Sequence, residues 1–179
     1  FDLSISTNLG INPYLDKQAP ELTITQSAAN KFTYIATDNF EVLGYMVTTS
    51  STEPALDDSN WVSDPSEVTI DNTAAHTYYV WAKDGVNITS KTIKTFKLTK
   101  TVGTGTTLTL KYKNSTGVEL TTGYVLNGTK VYVEGSLLNG YNTLELKKGT
   151  TVIASGSTQT ISAATTISSS ASAKIYSVV

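Results

Sequence analysis

Two stretches, Phe32-Thr-Tyr-Ile-Ala-Thr-Asp38 and Tyr78-Tyr-Val-Trp-Ala-Lys-Asp84, decide the fold class of this sequence. In both, large apolar or aromatic residues recur at every second position and narrow to Ala, and each stretch breaks at an Asp followed by Asn39 or Gly85. Side chains of a β-strand point alternately to opposite faces, so this pattern is typical of a half-buried strand that ends in a turn. Two such strands, without helical periodicity elsewhere, predict an all-β sandwich.

Composition narrows the class of protein. Of the 179 residues, 39% are hydrophobic, 16% are charged and about 50 are Ser or Thr. A strand that buries one face needs few hydrophobic residues, and Thr suits the exposed face because it is both β-branched and polar. Typical soluble domains carry about 25% charged residues, which is more than this chain has. The composition therefore favours an extracellular β-rich protein.

Several kinds of partner and chemistry are excluded by charge and residue content. The net charge of −2, with 13 scattered basic residues, argues against nucleic acid as a partner. Cysteine is absent, so neither a disulfide framework nor a thiolate metal site can form. No apolar run approaches the ~20 residues that span a bilayer, so no membrane insertion is predicted for this fragment. The first residue is Phe1, and we interpret the chain as a piece of a longer polypeptide.

Turn residues and alternation divide the chain into strands and units. Four segments are predicted in chain order. They are a leader or linker at 1–15, a first domain at 16–98, a polar, glycine-bearing connector at 99–105 and a second domain at 106–179. The predicted core of the first domain consists of Leu22, Ile24, Phe32, Tyr34, Val47, Val68, Tyr78, Val80 and Ala82. Predicted strands lie at about 21–26, 31–37, 43–49, 67–70, 77–83, 91–98, 107–113, 117–125, 130–135, 142–147, 150–154, 158–161 and 172–178.

The first domain resembles a known kind of surface repeat. Ala19-Pro-Glu-Leu-Thr-Ile-Thr25, Tyr34-Ile-Ala-Thr-Asp38, Trp61 and Tyr79-Val-Trp-Ala-Lys-Asp-Gly-Val-Asn87 are similar to bacterial immunoglobulin-like surface repeats, over about 16–98. The late turn departs from the repeat pattern, because its Gly85 comes earlier than usual. The resemblance implies an immunoglobulin-like β-sandwich on a bacterial cell surface or in a secreted protein.

The second domain is similar to a different repeat. Thr107-Leu-Thr-Leu-Lys-Tyr112, Leu126-Asn-Gly-Thr-Lys-Val-Tyr-Val133 and Gly140-Tyr141 follow the order of divergent internalin-type B repeats, over about 106–179. This resemblance implies a small β-rich unit, β-grasp-like or sandwich-like, that extends a surface protein and in some cases touches a host ligand.

Metal binding is the sharpest chemical prediction. Asp38 and Asp84 end two strands that we expect to reach the same pole of the sandwich, and Asn87 lies close by in sequence. Ca²⁺ takes ~6–8 oxygen ligands, which loop carboxylates and amides supply. The sequence therefore predicts a calcium site at Asp38, Asp84 and Asn87. The alternative is that both aspartates only form turns by accepting hydrogen bonds from their own backbone. No other cofactor is predicted.

Aromatic residues offer a second candidate site. If Tyr78 and Val80 face the core, Tyr79 and Trp81 lie on the opposite face of the strand, and Trp61 lies in a polar loop. Exposed aromatic rings stack on sugars, so Trp61, Tyr79 and Trp81 are predicted glycan contacts. The alternative is that the three rings pack against a strand, a loop or the next domain.

No enzyme is predicted. His76 is the only imidazole, and no Ser sits in a Gly-x-Ser-x-Gly elbow, so no catalytic or cofactor-binding residue is assigned. The preferred function is a non-catalytic extracellular module pair, acting in adhesion or as a structural spacer. Its expected partners are a host or surface glycan or protein and neighbouring modules of the same chain. The alternative is an accessory carbohydrate-binding module of a secreted enzyme.

Overall fold

The computed structural model describes residues 16–179, which form thirteen β-strands and no helix. The strands are β1 (Glu21–Ala28), β2 (Lys31–Thr37), β3 (Gly44–Thr48), β4 (Val68–Thr69), β5 (Thr77–Lys83), β6 (Ile88–Thr101), β7 (Thr106–Tyr112), β8 (Gly123–Leu126), β9 (Lys130–Leu137), β10 (Leu144–Lys148), β11 (Thr151–Gly156), β12 (Thr160–Thr166) and β13 (Lys174–Val178). The predicted all-β class is therefore confirmed. The predicted leader, 1–15, lies outside the described residues.

Strands β8 and β12 depart clearly from their predicted bounds. The sequence predicts a strand over 117–125, but β8 begins only at Gly123, because the residues before it fold back onto β7. There the Tyr112 amide donates a hydrogen bond to the Val118 carbonyl at 2.7 Å. β12 continues to Thr166, beyond its predicted end at 161, because it pairs with β9 along its whole length. In both cases tertiary pairing, and not local propensity, decides the boundary.

The first half of the chain folds into two sheets that share one core. One sheet has the strand order β1-β2-β4, and the other contains β3-β5-β6. In β2 the side chains of Phe32, Tyr34 and Ala36 are buried while the residues between them are exposed, as the alternation predicts. The nine predicted core residues all belong to one hydrophobic cluster, either buried in it or packed against it. The register predicted for these strands is therefore confirmed.

The second half also buries its core between two sheets. One has the order β12-β9-β7, and the other contains β11-β10-β13-β6, with β8 pairing to β6. Leu110, Val133 and Leu146 are among its fully buried side chains. Gly135 lies in the interior of β9, where a Cβ would stand 2.6 Å from the Leu146 side chain. The missing side chain at Gly135 lets the two sheets approach each other.

The predicted connector at 99–105 is wrong for its first three residues. Thr99–Thr101 are the end of β6 and pair in parallel with Lys174–Tyr176 of β13. Thr is a good strand former, so the polar composition of this segment indicates exposure and not flexibility. The 14-residue strand β6 therefore runs from the first pair of sheets into the second without interruption.

The two halves also exchange core residues. Leu126, from β8, is fully buried in the cluster of the first half, and Ala29, from the β1–β2 turn, is buried in the cluster of the second half. The Leu126 amide donates to the Ala29 carbonyl at 2.8 Å. Next to them, the Gln26 side-chain amide donates to the Thr129 hydroxyl at 2.7 Å. The junction is thus a packed and hydrogen-bonded interface.

Candidate functional site

Three carboxylates meet at the end of the first half that lies away from the second. Asp38 directly follows β2 and Asp84 directly follows β5, and Asp16 approaches both from the segment that leads into β1. One carboxylate oxygen from each residue lies within 4.8 Å of the others. The predicted meeting of Asp38 and Asp84 at one pole is therefore found. Asp16 is an addition that the sequence did not indicate.

Both predicted aspartates form turns. The Asp38 Oδ1 atom accepts a hydrogen bond from the Phe40 amide at 2.9 Å. The Asp84 Oδ1 atom accepts from the amides of Val86 and Asn87, each at 2.6 Å. These bonds explain locally why an Asp stands at the end of each strand, since its side chain replaces the ladder partner that the backbone loses. The turn-forming hydrogen bonds expected under the alternative interpretation are therefore present, on one oxygen of each carboxylate.

Asn87 lies at the same pole, where its side-chain amide nitrogen donates two hydrogen bonds. It donates to Asp84 Oδ2 at 2.9 Å and to the Gln18 carbonyl at 3.3 Å. Asn87 therefore holds the Asp84 side chain in place and links it to the segment before β1. Its position agrees with the prediction, but its contacts are those of a residue that orients Asp84.

Asp16 is 9% exposed and is tied to its surroundings through one oxygen. Its Oδ1 atom accepts from the Gln18 amide at 3.0 Å and from the Asn39 side-chain amide at 3.4 Å. No sequence spacing relates Asp16 to the two strand ends, because it reaches them only through the folding of the segment before β1. The polar segment Asp16-Lys17-Gln18 ahead of Pro20 contains no feature that singles out Asp16.

None of the ion pairs found in residues 16–179 involves the three carboxylates of the cluster, so these pairs do not neutralise its charge. Those pairs join Lys31 to Glu67, His76 to Asp71 and Lys147 to Glu145. Asp84 is 3% exposed, so solvent screens its charge poorly. At an effective dielectric constant of about 20, two unit charges about 4.8 Å apart repel each other by roughly 3 kcal/mol.

The second oxygen of Asp38 has an unusual environment. Within the described residues, Asp38 Oδ2 is a buried side-chain oxygen that has no hydrogen-bond partner. A buried acceptor without a partner costs about 1–3 kcal/mol, and more when it is charged. Beside the cluster, Phe40, Leu43 and Val86 line an open cavity of about 290 Å³ together with Asp16 and Asp84.

Among the predicted glycan contacts, Trp81 is corrected. Its side chain does lie on the face opposite Val80, as alternation requires, but it is only 4% exposed. The indole nitrogen donates to the Thr48 hydroxyl at 3.0 Å, and the ring stacks on Tyr79 with centroids 6.1 Å apart. A ring this deeply covered presents no stacking face to a sugar.

Trp61 and Tyr79 are half-buried, and the Tyr79 ring stacks on the covered Trp81 ring. The Trp61 nitrogen donates to the Ala55 carbonyl at 2.8 Å, and Lys83 Nζ lies 5.0 Å from the Trp61 ring centroid. Lys83 also donates to the Leu56 carbonyl at 2.6 Å. These contacts fasten the loop between β3 and β4 against the sheet. Glycan binding at Trp61 and Tyr79 stays a prediction.

His76 makes no arrangement typical of nucleophilic catalysis. Its Nε2 atom lies 3.3 Å from Asp71 Oδ2, and its ring packs near Tyr78. The pKa of Asp71 is lowered, first by the hydrogen bond from the Thr73 hydroxyl, then by the Thr73 amide and by His76. The group is a surface turn in which Asp71 caps its own backbone.

Comparisons with known proteins do not assign this chain to a family. A scan against protein-family models and searches of curated proteins and of solved structures found no match to this chain. Within residues 16–179, no helix has the length and apolar character that a membrane crossing requires.

Proposed function

We propose that this chain is a non-catalytic, load-bearing module pair of a bacterial cell-surface or secreted protein, and that it acts as a spacer. Its composition, rich in Ser and Thr and free of cysteine, supports an extracellular setting. The observation that carries the proposal is the placement of the first and last strands at opposite ends of β6.

The described part of the chain begins at one end of the pair and finishes at the other. Asp16 lies beside Asp84, close to the start of β6, and β13 runs parallel to the end of β6 and finishes at Val178. At ~3.3 Å per residue, the 14 residues of β6 extend over about 45 Å. A module with this placement adds length to the polypeptide that contains it.

Tension between the two ends would load both outer strands along their axes. β1 starts at the entry pole and pairs with β2, and β13 ends at the exit and pairs with both β6 and β10. Ladder hydrogen bonds run across the strands, so a pull along a strand must break many of them together. This shear arrangement supports a mechanical role.

The immunoglobulin-like assignment of the first half belongs to the proposal. The order β1-β2-β4 facing β3-β5-β6 corresponds to the A-B-E and C-F-G sheets of such domains. The Tyr78 hydroxyl, near the start of β5, accepts a hydrogen bond from the Asp71 amide at 2.9 Å. A tyrosine at this strand that bonds back to the backbone just upstream is typical of immunoglobulin-like sandwiches.

The second half is proposed to be a sandwich-like extension module of the same surface protein. Its inward side chains come from two facing sheets, including Leu110 of β7 and Leu146 of β10, and no helix packs on either sheet in 106–179. A β-grasp unit would place a helix against its sheet, so the sandwich-like option is favoured. The similarity to internalin-type B repeats remains part of the proposal.

Single-molecule force spectroscopy tests the load-bearing role. With handles before residue 1 and after Val179, we expect unfolding at clearly higher force than with the second handle at Thr150→Cys, in the turn before β11. The Thr150 attachment peels the β10–β11 hairpin and opens its bonds one at a time. Equal forces in the two geometries would contradict the proposal, since forced unfolding reports the unfolding barrier.

A glycan array separates the spacer from a carbohydrate-binding module. The full chain is expected to bind no sugar above background. A stereospecific hit that is lost in Trp61→Ala would favour the carbohydrate-binding function instead.

A further inference from the structure

We propose that Asp16, Asp38 and Asp84 bind a Ca²⁺ ion that fastens the segment before β1 to the ends of β2 and β5. This inference rests on the geometry of the pole and goes beyond the spacer function. It also differs from the site that the sequence predicts, because Asp16 is a ligand and Asn87 only orients Asp84.

The spacing of the three carboxylates suits one ion. Their nearest oxygens all lie within 4.8 Å of one another. Ca²⁺ binds oxygen at 2.3–2.6 Å, so two oxygens on the same ion can be at most about 5 Å apart. The three carboxylates are therefore close enough to one another to share one ion.

A second observation points to a ligand at the same place. Asp38 Oδ2 is buried and has no hydrogen-bond partner within the described residues. Its companion Oδ1 is already held by the Phe40 amide, so the orientation of the carboxylate is fixed. A buried carboxylate oxygen without a donor, close to two further carboxylates, is the environment that a bound cation satisfies.

The chemistry of the site selects a hard cation. All three side chains offer carboxylate oxygen, and neither His nor Cys belongs to the cluster. Oxygen-only sites with several carboxylates suit Ca²⁺, whereas transition metals prefer nitrogen or sulfur ligands. The hydrogen bonds from Gln18, Asn39 and Asn87 hold Asp16 and Asp84 in place. The remaining coordination positions would be taken by water, which the adjoining open cavity admits.

The test is thermal unfolding of the full chain in chelator and in excess Ca²⁺, together with calorimetric titration by Ca²⁺. A ligand that binds only the folded state raises the melting temperature by mass action. At a Ca²⁺ concentration a hundredfold above the dissociation constant, we expect a rise of roughly 5–10 °C for a chain of this size. The titration should give one ion per chain.

Variants locate the site. Asp38→Asn keeps the acceptor for the Phe40 amide, and it should lose the Ca²⁺-dependent rise and at least tenfold in affinity. Asp16→Asn should do the same. The control Asp57→Asn, an exposed carboxylate outside the cluster, should behave as the parent chain. In chelator, Asp38→Asn should melt at or above the parent temperature, because it removes a like charge from the cluster.

Three results would overturn the proposal. The first is an unchanged melting temperature of the parent chain in Ca²⁺ with no heat of binding. The second is a Ca²⁺-dependent rise that persists in both Asp16→Asn and Asp38→Asn, which would put the ion elsewhere. The third is an equal response to Mg²⁺ at the same concentration, which would contradict the assignment to Ca²⁺.

Discussion

The backbone amide of Leu126 donates a hydrogen bond to the carbonyl of Ala29, and the side chain of each residue is buried in the core of the other half. Leu126 is 0% exposed and Ala29 is 8% exposed. Together with the uninterrupted strand β6, this exchange makes the two halves one interlocked unit. We expect this interlock to hold the two halves in one fixed arrangement, which the proposed spacer function requires.

Truncation of Leu126 should weaken the whole unit. Leu126→Ala removes a fully buried side chain, and we expect the free energy of unfolding to fall by about 2–5 kcal/mol. Chemical denaturation of the full chain measures this change. Leu138→Ala is the matched control, because Leu138 is 50% exposed and its truncation should cost less than about 0.5 kcal/mol. Equal losses in the two variants would contradict the interlock.

The second half should not fold without β6. The sequence predicts an independent domain at 106–179, but this piece lacks Leu98, which is fully buried in its core, and the strand that pairs with both β8 and β13. We expect an isolated 106–179 fragment to give a disordered circular dichroism spectrum and no cooperative melt. A fragment that also contains residues 86–105 should recover β structure. Cooperative folding of 106–179 alone would show that the junction is dispensable.

The Tyr78 hydroxyl should contribute to the stability of the first half. Tyr78→Phe leaves the Asp71 amide without its acceptor, and we expect a loss of about 0.5–1.5 kcal/mol. Tyr79→Phe is the control, because that side chain lies on the opposite face of β5 and is half-buried. The two variants differ only in which hydroxyl is removed, so an equal effect would count against the tyrosine–backbone bond.

How much the sequence predicts depends on how local the cause is. The inward positions of Phe32 and Val80 follow from alternation, and the meeting of Asp38 and Asp84 follows from their place directly after two strands of facing sheets. These features depend on residues that are close together in the sequence, so a single sequence is enough to predict them.

Other features depend on partners distant in the chain. The polar residues after Leu98 are typical of a connector, but they pair with β13 and therefore continue β6. Alternation puts Trp81 on the outer face, and no pattern reveals that this ring will be covered there. Asp16 and the Leu126–Ala29 exchange likewise arise only when separate segments pack together.

The Glu67 carboxylate should make stability depend weakly on pH. Its pKa is lowered below the usual 4.5, first by the hydrogen bond from Lys31 and then by the Ser27 hydroxyl. A lowered pKa in the folded state adds stability above the unfolded pKa, and this is lost as the pH falls through the folded value. Because the pair is exposed, Glu67→Gln should lower the melting temperature at pH 7 by only about 1–2 °C.

The difference between Glu67→Gln and the parent chain should disappear well below pH 4.5, where the parent carboxyl is also neutral. Glu53→Gln, which changes an exposed loop carboxylate, is the control and should match the melting temperature of the parent chain at pH 7. A Glu67→Gln difference that grows as the pH falls would reverse the expected sign and contradict this assignment.

Pulsed electron–electron double resonance tests most directly whether the two halves form one stiff unit. The chain has no cysteine, so Ser63→Cys in the first half and Thr150→Cys in the second accept spin labels without background. A pair within the first half, Ser63→Cys and Lys91→Cys, gives the reference width. We predict one narrow distance distribution between the halves, as narrow as the reference and broadened by Leu126→Ala. A broad or two-peaked distribution in the parent chain would contradict the account.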